Sequence, residues 1–105
     1  MNQDAILRAR VLLLGTGELT ALQRVTAHRL LAADSPAVHL PKLSTALVDL
    51  AERTGHLPDA CLALLDEAIA AAEAMDAADP YRPQVLAEAL DARQLQLDAM
   101  GRTAR

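Results

Sequence analysis

Four side chains in this sequence are strong transition-metal ligand types: His28, His39, His56 and Cys61. A structural zinc site takes four nitrogen or sulfur ligands at paired spacing. Here His56 and Cys61 stand five positions apart, and no second pair at ligand spacing joins them. No metal is expected. Cys61 falls near the start of a helix, where the helix dipole lowers a thiol pKa, but a small buried core residue is the simpler role for it. The hydroxyls of Ser44, Thr45 and Thr54 have no adjacent histidine base to activate them. The neighbouring carboxylates Asp66 and Glu67 point to different sides of a helix and cannot work as an acid/base pair. Gly15-Thr16-Gly17 offers free N–H groups to an anion. It lacks the Lys-Ser/Thr of a phosphate loop, no strand precedes it, and a hairpin loop explains it better. The expectation is a non-enzyme with no catalytic residue and no cofactor.

The elements that position these residues follow from composition. The chain has 105 residues, read as a single domain over 1–105. A chain of this size buries roughly two-thirds of its unfolded surface and needs no staples. Hydrophobic residues make up 52%, much of it alanine, and Tyr81 is the sole aromatic. An alanine- and leucine-dominated core favours helices that approach closely. No stretch alternates β-branched and polar residues as a strand would. The net charge of −4 argues against nucleic acid as a partner. A single cysteine fits a reducing compartment. The start of the chain carries no basic leader, and Val11-Leu12-Leu13-Leu14 is too short for a signal core or a membrane span. The expected setting is cytoplasmic, away from membranes.

Five helices are expected. Helix 1 covers about residues 4–14, with Leu7, Val11 and Leu14 on one face and Gly15-Thr16-Gly17 ending it. Helix 2 covers about 18–33, capped by Thr16 or Gly17, with Leu19, Leu22, Thr26, Leu30 and Ala33 as its buried stripe. Asp34-Ser35-Pro36 stops it, because proline disfavours helical geometry in the residue before it. Helix 3 starts near Pro41, buries Leu43, Ala46, Leu47, Leu50 and Ala51, and ends at Gly55. Helix 4 runs from Pro58 to about Ala77 with Cys61, Leu64 or Leu65, Ala68, Ala72 and Met75 at three- and four-residue steps. Helix 5 starts at Pro83, carries Leu86, Leu90, Leu97 and Met100 near one face, and ends at Gly101.

Part of this pattern occurs twice. Ala32-Ala33-Asp34-Ser35-Pro36, Leu40-Pro41-Lys42-Leu43 and Ala46-Leu47 return as Ala77-Ala78-Asp79-Pro80-Tyr81-Arg82-Pro83, Leu86 and Ala89-Leu90. The steps are 44 from Pro36 to Pro80 and 43 from Leu47 to Leu90. Such a repeat means stacked supersecondary units. The expected fold is therefore all-α, five antiparallel helices arranged as a short α-solenoid. The alternative is a closed helical bundle, which packs helix 1 closely against helix 5.

At these residues the chain resembles a tetratricopeptide-repeat (TPR) protein. It is most similar to the longer-period repeats of actinobacterial regulatory proteins. Asp79-Pro80-Tyr81-Arg82-Pro83, Leu86-Ala87-Glu88-Ala89-Leu90 and Met100-Gly101-Arg102 stand in that family's order, and Ala60 matches the small residue where its helices cross. The likeness covers about residues 30–102. The family's aromatic positions are Ala or Leu here, Glu67 falls at an expected small position, and Val48-Asp49 and Asp91-Ala92 replace the paired asparagines that hold a peptide backbone. Arg93 and Gln94 fall at stacking positions, so the resemblance implies that helix 5 is a solvating cap.

The resemblance implies a partner groove lined by the first helix of each pair. Those positions are Lys42, Thr45, Asp49 and Glu52 on helix 3, and Glu88, Asp91, Leu95 and Asp98 on helix 5. Five of the eight are acidic, which points to a protein partner with a basic segment, against the competing reading of a plain solvated face. Val11, Leu12 and Leu13 cover more than one face of helix 1 and are the expected self-association surface of a homo-oligomer. The functional expectation is a protein–protein interaction adaptor. The alternative is a helical small-molecule-binding or accessory protein with its pocket among helices 2–4.

Overall fold

A computed structural model describes residues 3–14 and 20–101, the side chains of 11–14 excepted. Among the described residues every regular element is an α-helix: α1 (Gln3–Leu14), α2 (Ala21–Asp34), α3 (Pro36–Glu52), α4 (Pro58–Glu73) and α5 (Arg82–Ala99). The molecule measures 48 × 33 × 23 Å. No helix of the described residues is long and apolar enough to cross a membrane.

Local chemistry sets the helix ends. Thr20 caps α2 through a reciprocal box: its Oγ1 accepts from the Gln23 N–H at 3.1 Å, and Gln23 Oε1 accepts from the Thr20 N–H at 2.9 Å. This places the start of α2 later than the expected residue 18. The expected caps Thr16 and Gly17, and the Gly15–Gly17 loop, lie outside the described residues. Ser35 alone separates α2 from α3, closing one helix and opening the next. Its N–H donates to the Leu31 carbonyl at 2.7 Å, and its carbonyl accepts from the N–H groups of Val38 and His39.

α3 therefore begins at Pro36 rather than Pro41. Pro36 takes the first-turn position that suits its missing N–H, and Pro41 lies inside the helix. There it leaves the Ala37 carbonyl without the usual intrahelical donor. Gly55 does not close α3 in the left-handed region; Arg53 closes it with helical dihedrals. Gly101, at φ +70°, does end α5 in the expected way. Between α4 and α5 two aspartates each tie a turn, Asp76 Oδ1 accepting from the Ala78 N–H and Asp79 Oδ1 from the Tyr81 N–H, both at 2.8 Å. The Arg82 guanidinium then donates to the Glu73 carbonyl at the end of α4.

From α2 to α5 successive helices run antiparallel, as their cross-links show. Arg24 near the start of α2 reaches Asp49 near the end of α3, Cys61 near the start of α4 meets the Ala51 carbonyl near the end of α3, and Arg82 at the start of α5 meets the Glu73 carbonyl at the end of α4. Val25, Leu43, Ala46, Leu47, Ala68, Ala71 and Ala89 form the central core. Where α3 crosses α4, Ser44, 1% exposed, donates to the Ala68 carbonyl at 2.8 Å. Two small side chains let α3 and α4 approach there. Ala60, expected at such a crossing, is exposed instead.

Among the described residues α3 packs on α2, α4 and α5, whereas α1 packs on α2 alone and makes no contact with α5. Ile6 and Ala9 of α1 meet Ala27 and Leu31 of α2 in a separate small cluster.

The expected faces held for most of α3 and α4, with Leu50 half-buried, and in part elsewhere. Leu30 of α2 and Leu86, Leu97 and Met100 near or in α5 are half-buried, while the side chains of Val11, Leu14 and Leu19 lie outside the described residues. Leu43, Ala46, Leu47 and Ala51, and Cys61, Leu65, Ala68, Ala72 and Met75, are all buried. In α2 the buried residues are Ala21, Val25, Ala27, His28, Leu31 and Ala32, while Leu22, Thr26 and Ala33 are exposed. α2 lies between α1 and α3, so two flanks bury residues off the leucine stripe. Leu7 of α1 is exposed, and in α5 only Ala89 is buried, with Leu90 on the surface.

Candidate functional site

Three helices build one concave surface. α2 supplies Arg24 and His28, α3 supplies Pro41, Lys42, Thr45, Ala46 and Asp49 with Arg53 at its end, and α5 supplies Gln84, Val85 and Glu88. Tyr81, held by the Asp79 turn, stands at the rim, and the groove encloses about 750 Å³. α4 contributes no lining residue. The floor is apolar, from Pro41, Ala46 and Val85.

Lys42, Thr45, Asp49 and Glu88 come together here from the eight positions expected to line a groove. Glu52 and Leu95 line a separate depression of about 300 Å³ beside Gly55, Cys61 and Ala92. Asp91 and Asp98 line neither, and Asp98 accepts from Gln94 Nε2 at 3.0 Å. The side chains of Val11, Leu12 and Leu13 lie outside the described residues.

The charge of the groove departs from the acidic character expected. Arg24, Lys42 and Arg53 face Asp49 and Glu88. Asp49 is shared by Arg24 at 3.5 Å and Arg53 at 3.4 Å. Both pairs are solvent-accessible, so each contributes no more than about 1 kcal/mol. Their effect is to use up the carboxylate: Lys42 makes no ion pair among the described residues, and Glu88 takes only a hydrogen bond from Gln84 Nε2 at 3.3 Å. The basic residues Arg24 and Arg53 were missed because the first-helix rule looks at neither α2 nor the end of α3.

His28 sits on the groove wall, 8% exposed, with its Nδ1 3.2 Å from the Nδ1 of His39. A hydrogen bond at that distance requires one Nδ1–H donor and one Nδ1 acceptor, which for two neutral rings means different tautomers. Both pKa values lie below the ordinary 6.5. For His28 the main cause is burial, followed by His39, Lys42 and Arg24; for His39 it is burial, then Lys42 and Arg10, with Asp34 acting in the opposite direction.

Among the described residues no three His, Cys, Asp or Glu side chains stand at metal-holding distance. Cys61 is buried, with its Sγ 3.3 Å from the Ala51 carbonyl, and burial pushes its thiol pKa up. The activating helix-start environment considered from sequence is overridden by desolvation. Ser44 is likewise spent, on the Ala68 carbonyl. Comparison with protein-family models, curated proteins and solved structures returns no match.

Proposed function

We propose that this chain is a protein–protein interaction module built from TPR-like helical hairpins, and that it holds a segment of its partner in the α2–α3–α5 groove. The observation that carries this reading is the groove itself: an apolar floor between three helices, lined by Lys42 of α3 and Glu88 of α5, which make no ion pair among the described residues. Such a surface fits an extended segment with apolar side chains and charges of both signs. The apolar contacts supply affinity, and the flanking charges supply register and rate. The open stack is supported by α3, which packs on α5 as successive first helices of a solenoid do, and by the lack of contact between α1 and α5 among the described residues. The role requires no catalytic group.

A photo-crosslinking residue at Thr45, in the groove, is expected to capture the partner in the native host, while the same residue at Ala63 on α4 is not. Lys42→Glu is expected to weaken the Thr45 capture about tenfold, the scale of one well-placed charge pair. Equal capture at both positions, or capture indifferent to Lys42, overturns the groove reading.

Self-association is a second reading, favoured by α5, which leaves Leu90 48% and Leu95 71% exposed. Light scattering across a dilution series is expected to give twice the chain mass, falling to the monomer for Leu90→Glu. A monomer at every concentration removes this reading and leaves the groove untouched.

A further inference from the structure

We propose that the His28–His39 contact is a proton-sensitive latch at the corner between α2 and α3, closed with at most one added proton and opened when both rings are charged. The two Nδ1 atoms are 3.2 Å apart, and the rings are tilted at 35° with centroids 5.3 Å apart. With both imidazoles neutral, one Nδ1–H donates to the other Nδ1. One extra proton still leaves an acceptor at the contact. A second proton puts two N–H donors face to face, which removes the bond and adds like-charge repulsion at close range.

The surroundings sharpen this response. Arg10 of α1, Arg24 of α2 and Lys42 of α3 all oppose positive charge on the pair. Asp34 of α2 is the carboxylate that favours it, and Asp34 is already paired with Arg10 at 3.2 Å. Asp49 and Glu88 share the groove wall with His28, and Asp49 is held by two arginines.

The corner is short. α2 and α3 are joined through Ser35 alone, and that residue has no side-chain cap on α3. Its carbonyl is held by the Val38 and His39 N–H groups, so His39 anchors the corner through its backbone and its ring together. Opening the latch moves His28, a wall of the groove, and so couples pH to the shape of the binding surface. The latch does not depend on what the groove binds, and its test uses no partner.

The direction follows from linkage. Both histidines bind protons less readily in the folded chain than at their ordinary value of 6.5. The unfolded or locally opened chain therefore takes up protons first on acidification. The stabilisation is complete above pH 6.5 and is lost as pH falls below it, through the lower folded values.

Amide hydrogen exchange of Val38 and His39 between pH 7.5 and 5.5 reads the corner directly. The opening equilibrium is expected to rise about tenfold over this range after correction for intrinsic exchange. In His39→Gln the rise is expected to vanish, and in His56→Gln, a change at an exposed histidine, it is expected to persist. A His39→Gln chain that keeps the full rise overturns the latch. Should that variant not fold, imidazole nitrogen shifts of the wild-type chain decide: complementary Nδ1–H and Nε2–H tautomers with coupled titration support the latch, and two independent titrations near 6.5 overturn it.

Discussion

α4 and α5 have nearly equal lengths, 16 and 18 residues, yet α4 buries five side chains and α5 buries one. The difference does not lie in hydrophobic content alone. α5 carries Leu86, Leu90, Leu95 and Leu97, larger residues than most of those α4 buries. It lies in neighbours. α4 is wedged between α3 and α5, so alanine-sized residues on both flanks are covered. α5 packs on α3 and α4 and has nothing beyond it among the described residues. Its leucines also spread around the helix, with Leu95 on the side of the small depression and Leu90 beyond the α4 contact. A helix at the end of a stack keeps an apolar surface that an internal helix would hide.

The largest test of this contrast is a pair of truncations. Leu65→Ala in α4, at a side chain only 2% exposed, is expected to cost about 2–5 kcal/mol in urea unfolding through lost transfer energy and the cavity left behind. Leu95→Ala in α5, at 71% exposure, is expected to stay within about 0.5 kcal/mol. Similar losses at the two sites would mean that α5 is covered in solution.

Ser44→Ala probes the crossing on the other flank of α4. It removes the donor to the Ala68 carbonyl while keeping the small volume, so a loss of about 0.5–1.5 kcal/mol is expected by the same measurement. No loss would show that close packing alone sets the crossing.

The smallest effect is expected at the polar tie between the two helices. Arg93 Nε donates to Asp66 Oδ1 at 2.7 Å, with both side chains well exposed. Arg93→Ala is expected to cost roughly 0.2–1 kcal/mol and to lose that effect in high salt. A larger, salt-insensitive cost would assign the arginine stem a packing role against α4.

Much of the helical layout was legible in the residues. Proline before and glycine after an apolar run mark helix ends through backbone geometry alone, as at Pro58, Pro83 and Gly101. The faces of α3 and α4 were legible because their apolar residues recur cleanly at three- and four-residue steps. α2 was misread for a nameable reason. Val25 and His28 are covered while Leu22 is not, because α1 and α3 approach from directions that a single-helix pattern does not encode. Thr20 and Gln23 carried a readable capping signal, three residues apart, ahead of α2. Pro41 reads as a helix start because its missing N–H goes unpaired in a first turn anyway, yet α3 continues through it within its second turn.

The groove was half legible. Lys42, Thr45, Asp49 and Glu88 follow from the resemblance, which implies groove positions on the first helix of each pair. Arg24 and His28 join them through the sharp reversal at Ser35, and Arg53 joins from the end of α3. The charge of the surface depends on all three helices at once. Counting acids on two helices therefore leaves out the basic residues that α2 and the end of α3 bring to it.

By itself, then, the sequence determined that this chain is helical, where most of its helices break, and which faces of α3 and α4 turn inward. These are local properties, set by propensity, capping and periodicity within one or two turns. Only the tertiary structure decided that His28 meets His39, that Asp49 is shared by two arginines, and that α5 stays largely uncovered. Each of these depends on which helices become neighbours and at what register. That choice is made by packing energy summed over the whole chain, and no single segment carries it.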